Sequence, residues 1–209
     1  SLLEELKKNK KNFIPSVVIC LKDKGYYHDK ITKLNIKVYC LNMKPNKINL
    51  FKQYNLFKIF KKEKPDIVQT WMYHSDIVGG IAAFFANVKT TIWTIHNFNL
   101  SIKALGIQTR FVVLLCTLFS HFLPSNIISV SKAAIKNHTN VGYNKKKFVH
   151  IPLGYNKKLD LRIENKIKNS KSKKIVFGSL SRWNIQKNHK FMLESFGKLK
   201  KTSNINFKI

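Results

Sequence analysis

The sequence predicts an α/β fold in which helices cover a parallel sheet, and three observations carry that expectation. Short apolar runs alternate with longer segments of helical spacing. The runs are rich in β-branched residues. They are also continuous rather than alternating, as strands buried on both faces require. The layout is that of the doubly wound class.

Taken in order, the chain opens on a helix-like segment, Leu2–Lys8, acidic first and then basic. Strand-like runs follow at Val17–Leu21 and Ile36–Leu41. A helix is expected from about Ile48 to Lys62, with Leu50, Tyr54 and Phe57 on a common face. The next strand is Ile67–Thr70, and Asp76–Ala86 follows it as a helix whose Gly79 and Gly80 permit close packing on the sheet. Thr90–Ile95 is a strand, and 104–122 reads as one long helix. Ile127–Val130, the helix Lys132–His138 and the strand Phe148–Ile151 complete the series. Leu159–Lys174 is charged and has no sustained apolar period, the composition of a linker. A strand at Ile175–Phe177, a helix at Asn188–Lys201 and a strand at Ile205–Ile209 then begin a second α/β domain. The expected domains are therefore 1–156, a linker 157–173, and 174–209. A doubly wound domain ordinarily starts with a strand and a Gly-rich turn. The opening helix makes the first domain read as truncated at its start, and the second as truncated at its end.

Lys and Arg number 39 against 10 Asp and Glu, a net charge of +29. Only Arg110, Arg162 and Arg182 are arginines. Arginine is the side chain suited to bidentate phosphate and base-edge contacts, so the balance points to a Lys-rich coding bias more than to a nucleic-acid surface. Attraction to an anionic membrane is superimposed on it. The Lys-rich helix at 44–64, with aromatic residues among its lysines, fits either an interfacial helix or one whose apolar face packs on the sheet. The longest apolar run, Phe111–Leu123, falls short of the ~20 residues that a membrane span needs. Cys20, Cys40 and Cys116 each sit in an apolar run and read as buried free thiols of a reducing compartment. No secretory signal is visible, and the expected location is cytoplasmic, at most peripheral to the inner membrane face. The histidines show no zinc-type spacing, so no metal is expected.

The sharpest chemical signal is the stretch from Phe177 to His189, Phe-Gly-Ser-Leu-Ser-Arg-Trp-Asn-Ile-Gln-Lys-Asn-His. It places Arg182 beyond a strand and Lys187 just before a helix. Two cations beside the positive end of a helix suit a diphosphate and stabilise charge developing on a leaving group without Mg²⁺. His96 ends the strand Thr91–Ile95 at the carboxyl edge, where such sheets place ligands. It can hydrogen-bond a ligand hydroxyl or assist a reacting centre, or bond nearby backbone. Ser75 or Asp76 caps the following helix or lines the cleft with Asn97. Ser131 reads as a helix N-cap.

These stretches resemble, in order, those of family 4 glycosyltransferases, which have the two-domain GT-B fold. The 177–189 segment is similar to the family's Gly-Arg, Gln-Lys loop and helix. Pro65–Asp76, Trp93–Asn97, Ile128–Lys132 and Ile151–Asn156 resemble its acceptor-domain strand ends and crossover. The departures are Leu153 for the usual Asn, Asn156 for the usual Asp, and Ser179 and Ser181 in a turn that is often Gly-rich. The family's first strand and its Glu-x7-Glu donor segment have no counterpart here; Glu194 reads as a solvated residue. The resemblance implies a retaining hexosyltransferase of cell-surface polysaccharide assembly. It would take a nucleotide-sugar donor and a saccharide or lipid-linked saccharide acceptor, and use no cofactor. Arg182 and Lys187 would hold the donor diphosphate and His96 the reacting centre. The chain as written is expected to be inactive. A non-catalytic remnant of the same fold and a nucleic-acid-binding α/β protein stand as rival readings.

Overall fold

The computed structural model describes residues 2–12, 14–44, 50–154, 175–183, 187–202 and 207–208. The expected linker, with Arg162, lies outside them, as do Tyr155, Asn156 and 184–186. Two compact units divide at Pro152 and Leu153.

The first unit begins with α1 (Leu2–Lys11), whose Glu4 and Glu5 lie at the positive end and Lys8, Lys10 and Lys11 at the negative end of the helix dipole. Strand β1 (Val17–Cys20) leads through a short helix α2 (His28–Thr32) to β2 (Lys37–Cys40). Helix α3 (Leu50–Glu63), strand β3 (Ile67–Trp71), helix α4 (Tyr73–Phe85) and strand β4 (Thr90–Ile95) follow. Then come α5 (Ile102–Leu105), α6 (Ile107–Phe119), β5 (Asn126–Ser129), α7 (Lys132–Asn140), a 3₁₀ turn (Lys145–Lys147) and β6 (Phe148–His150).

All pairings are parallel. β1 pairs with β2 from Val17↔Lys37 to Cys20↔Cys40. A separate four-stranded sheet has the order β3-β4-β5-β6, with Trp71↔Thr94, Ile95↔Ser129 and Ser129↔His150 in register. Among the described residues neither β1 nor β3 has a second strand partner.

Three apolar clusters fill the unit. Tyr73, Trp93, Ile95, Val113, Cys116 and Ile127 form one between α4, α6 and the sheet. Leu41, Leu56, Phe60, Val68, Ala82 and Ala83 form another under α3. Leu6, Ile31 and Ile36 form a small third under α1. The two glycines of α4 explain how that helix lies so close. A Cβ on Gly79 would come 2.8 Å from Thr70 Cγ2, and one on Gly80 3.1 Å from Trp93 Nε1.

Several expectations are corrected. The helix expected over 104–122 is two, because Gly106 takes φ 77° and breaks the run. α4 begins three residues before Asp76. Helix α3 turns Leu56 and Phe60 inward and leaves Tyr54 54% exposed, so its buried face is not the one the spacing suggested. Cys20 and Cys40 are half-exposed, and only Cys116 is buried; all three are free.

In the second unit β7 (Ile175–Val176) pairs in parallel with β8 (Phe207–Lys208). Helix α8 (His189–Thr202) lies between them in sequence. The Phe177 and Phe196 rings meet at 4.9 Å between centroids.

Candidate functional site

Because β3 to β6 run parallel, their carboxyl ends share one edge of the sheet, and the turns leaving that edge carry the candidate residues. His96 is the first residue beyond β4, and its side chain is exposed. The chain that follows is held by bonds to itself. Asn97 Oδ1 accepts from Asn99 N at 3.2 Å, and Asn99 Oδ1 accepts from Ser101 N at 3.0 Å. The Ser101 hydroxyl then caps α5 by accepting from Ala104 N at 3.3 Å. Two anchors tie this loop down: Asn137 Nδ2 donates to Phe98 O at 2.8 Å, and Leu100 is buried in the core. Asn97 is thus a turn-forming residue that stands half-buried beside His96.

Asp76 does not line an open cleft. It lies in the first turn of α4, facing the sheet at 0% exposure, and Met72 rather than Ser75 or Asp76 occupies the N-cap. The Thr70 hydroxyl donates to Asp76 Oδ1 at 2.5 Å, while Oδ2 has no partner among the described residues. Burial pushes the carboxyl up to about 7, against the opposing pull of the Thr70 hydroxyl and the Thr94 backbone. A carboxylate that is half protonated near neutrality fits a dry helix–sheet interface better than a sugar-binding surface. Ser131 does sit at the N-cap of α7 but makes no capping bond; Ser129 Oγ instead donates to Ser131 O at 3.2 Å.

Features that sequence reasoning passed over gather at the same edge. Met72, between β3 and α4, has φ 71° and ψ 157°, a conformation nearly confined to glycine, and its N–H donates to Thr94 O at 3.0 Å. His74 follows it, exposed at its surface, with its pKa lowered by partial burial and by the charge of Lys22 beyond β1. Arg110, in the first turn of α6, is half-buried, and its Nη1 is enclosed with no partner among the described residues. Its rarity in a chain that otherwise uses lysine was the available signal. Beneath the edge, His138 Nδ1 donates to Ala134 O at 2.7 Å, so Nε2 accepts from the Tyr73 hydroxyl at 3.0 Å. Burial first, and the Arg110 charge after it, keep His138 neutral by lowering its pKa; the Ala134 bond pulls the other way. This pair joins α4 to α7 across 65 positions of sequence.

In the second unit Arg182 stands six residues beyond β7 and Lys187 two residues before α8, and both are exposed. Asn188 takes φ 47° between Lys187 and the helix. The Trp183 and His189 rings stack at 4.7 Å and 6°, and the His189 ring nitrogen Nε2 lies 3.0 Å from Arg182 O. That contact brings Arg182 to the start of α8, whose first turn holds no acidic residue. Glu194 is exposed, at 3.9 Å from Lys190. Among the described residues no three His, Cys, Asp or Glu side chains come together as a metal cluster, and no helix is long and apolar enough to cross a membrane.

Residues 2–159 match the sequence profile of Glycosyltransferase Family 4. The chain belongs to that family. No curated protein matches it in sequence. Among solved structures, Anabaena HepE, crystallised with UDP and glucose, shares 16% identity and a TM-score of 0.65, over 93% of this chain and 53% of its own. A glycosyltransferase from Rickettsia africae shares 21% identity and a TM-score of 0.60, over 96% of this chain and 54% of its own. A UDP-GlcNAc 2-epimerase from Neisseria meningitidis, bound to UDP-GlcNAc, gives 16% identity and a TM-score of 0.51, over 99% and 61%. The family 4 chain therefore has the GT-B type of α/β architecture and spans roughly half to three fifths of the length of these solved relatives.

Proposed function

We propose that this family 4 chain carries the acceptor-side domain and the opening of the donor-side domain of a transferase. The reaction moves a hexose from a UDP-sugar to a saccharide acceptor, lipid-linked, in cell-surface polysaccharide assembly, with retention of configuration. The observation that carries the reading is in the second unit, where Arg182, through its backbone contact with His189, and Lys187, two residues before it, come at the start of α8. As the glycosidic bond breaks, negative charge grows on the diphosphate oxygen that leaves. Two cations and the positive end of a 14-residue helix stabilise that charge without a divalent ion. UDP and UDP-sugars in the solved relatives make uridine the base of choice. On the acceptor side His96, exposed at the end of a buried strand and followed by a loop of fixed shape, hydrogen-bonds the sugar at the reacting centre. A contact with the anionic inner leaflet brings the lipid-linked acceptor within reach.

UDP titration into the whole protein tests this. Arg182→Ala and Lys187→Ala are each expected to weaken UDP binding by about tenfold or more, the worth of a charge-assisted hydrogen bond. EDTA is expected to leave the affinity unchanged. Unaltered UDP affinity in both variants would remove the diphosphate role. The epimerase relative supplies the second reading. Turnover that yields an epimeric UDP-sugar rather than free UDP would favour it.

A further inference from the structure

Helix α6 presents an uncovered apolar stripe. Ile107, Phe111, Leu114 and Leu118 are 73%, 63%, 50% and 60% exposed, and Phe122, in the turn beyond, is 73% exposed. The spacing of four, three, four and four residues keeps them on one side of the helix, over a length of roughly 20 Å at ~1.5 Å per residue. The opposite side buries Val113 and Cys116, so among the described residues the stripe lies outside the core. Helix α4 packs alongside α6 and ends in Phe84 and Phe85, 61% and 65% exposed.

The segment that carries this face has charge of one sign. From Ile77 to Pro152 the sequence contains no Asp or Glu. Lys103 lies in α5, packed at the start of α6. At the other end Lys147 Nζ donates to His121 O at 2.8 Å, which brings the Lys145–Lys147 turn to the foot of α6. Cations thus border the stripe at both ends.

We infer that this α6 face is a docking surface for a bilayer containing anionic lipid. Large apolar side chains bordered by lysines, on a segment without a carboxylate, match acyl chains below a negative headgroup layer. A second copy of the chain is disfavoured as occupant, because each carries +29 and like charges would meet at the border. The assignment places the membrane contact on α6 rather than on the Lys-rich helix α3, where among the described residues only Phe51 and Tyr54 are large exposed apolar side chains. It rests on the membrane contact of the proposed function and gives that contact a surface; α6 holds none of the residues assigned to the donor, so UDP binding tests the two apart.

Co-sedimentation with vesicles decides it, using phosphatidylcholine alone and phosphatidylcholine with about 30% phosphatidylglycerol, the latter as a model anionic leaflet in which ~1 kcal/mol per Lys is available. The expected result is binding to the anionic vesicles, weakened by 0.5 M salt. Phe111→Ser with Leu118→Ser should reduce the partition coefficient at least about tenfold, equivalent to ~1.4 kcal/mol. Phe51→Ser with Tyr54→Ser on α3 should bind as the parent does. All these side chains are exposed, so circular dichroism should show both variants folded; UDP binding should be unaltered as well. Equal partitioning of the α6 variant and the parent would overturn the inference, as would failure of the parent to bind. Vesicle-free self-association that the α6 variant abolishes would assign the face to a second copy instead.

Discussion

Asp76 gives the first unit a stability that falls as the pH rises. Its carboxyl sits near 7 in the folded protein and near the ordinary 3.8 once unfolded. Between those values the folded chain keeps a proton that the unfolded chain has released, so raising the pH favours unfolding. About 3 pH units at ~1.36 kcal/mol each amount to about 4 kcal/mol, fully present below pH 4 and lost by the time the pH passes 7. Asp76→Asn keeps the size and the acceptor for the Thr70 hydroxyl but has no proton to lose. His138 works in the opposite direction, because its depressed pKa costs stability as the pH falls through the ordinary histidine range. The difference between parent and variant cancels that contribution. Urea unfolding at pH 5, 6, 7 and 8 is therefore expected to show Asp76→Asn gaining on the parent by about 3 kcal/mol across the series, the share of the titration lying between pH 5 and 7. Parallel pH profiles would refute the argument. So would a parent that gains on the variant as the pH rises.

Three further substitutions test packing and helix propensity. Tyr73→Phe leaves His138 Nε2 buried without its donor and should cost about 1–3 kcal/mol in urea unfolding, with little change in helix content. Gly79→Ala should destabilise by about 1–3 kcal/mol through the 2.8 Å approach to Thr70, outweighing the better helix propensity of alanine. Gly197→Ala, with nothing within 4 Å of the added methyl, should gain up to about 1 kcal/mol of helix stability in the same assay.

Most strands were legible in the sequence as short apolar runs, several of them rich in β-branched residues, and β4 falls on Thr90–Ile95 as expected. Helix boundaries were harder. Ser75 and Asp76 look like caps in sequence, yet α4 starts at Tyr73 without any side-chain cap, its entry set by the Met72 bond to Thr94. Gly106 was hidden within a continuing apolar period, and α2 is five polar-rich residues with no amphipathic signal. At the candidate site the sequence could place His96 at a strand end and the two cations before a helix, since both depend on local order. It could not show that Asp76 meets Thr70 inside the core or that Tyr73 finds His138. Those contacts exist only once the sheet brings distant segments together.

The loop that follows His96 draws most of its shape from neighbours in sequence: Asn97 holds Asn99, Asn99 holds Ser101, and Ser101 holds Ala104. Outside pins are few, with Leu100 and Asn137 as the main ones. Such a loop behaves as a cassette. Phe98, which points outward at 59% exposure, can change without disturbing the pins or the ladder of turns. The surface of the sheet edge can then change while the core beneath it stays fixed.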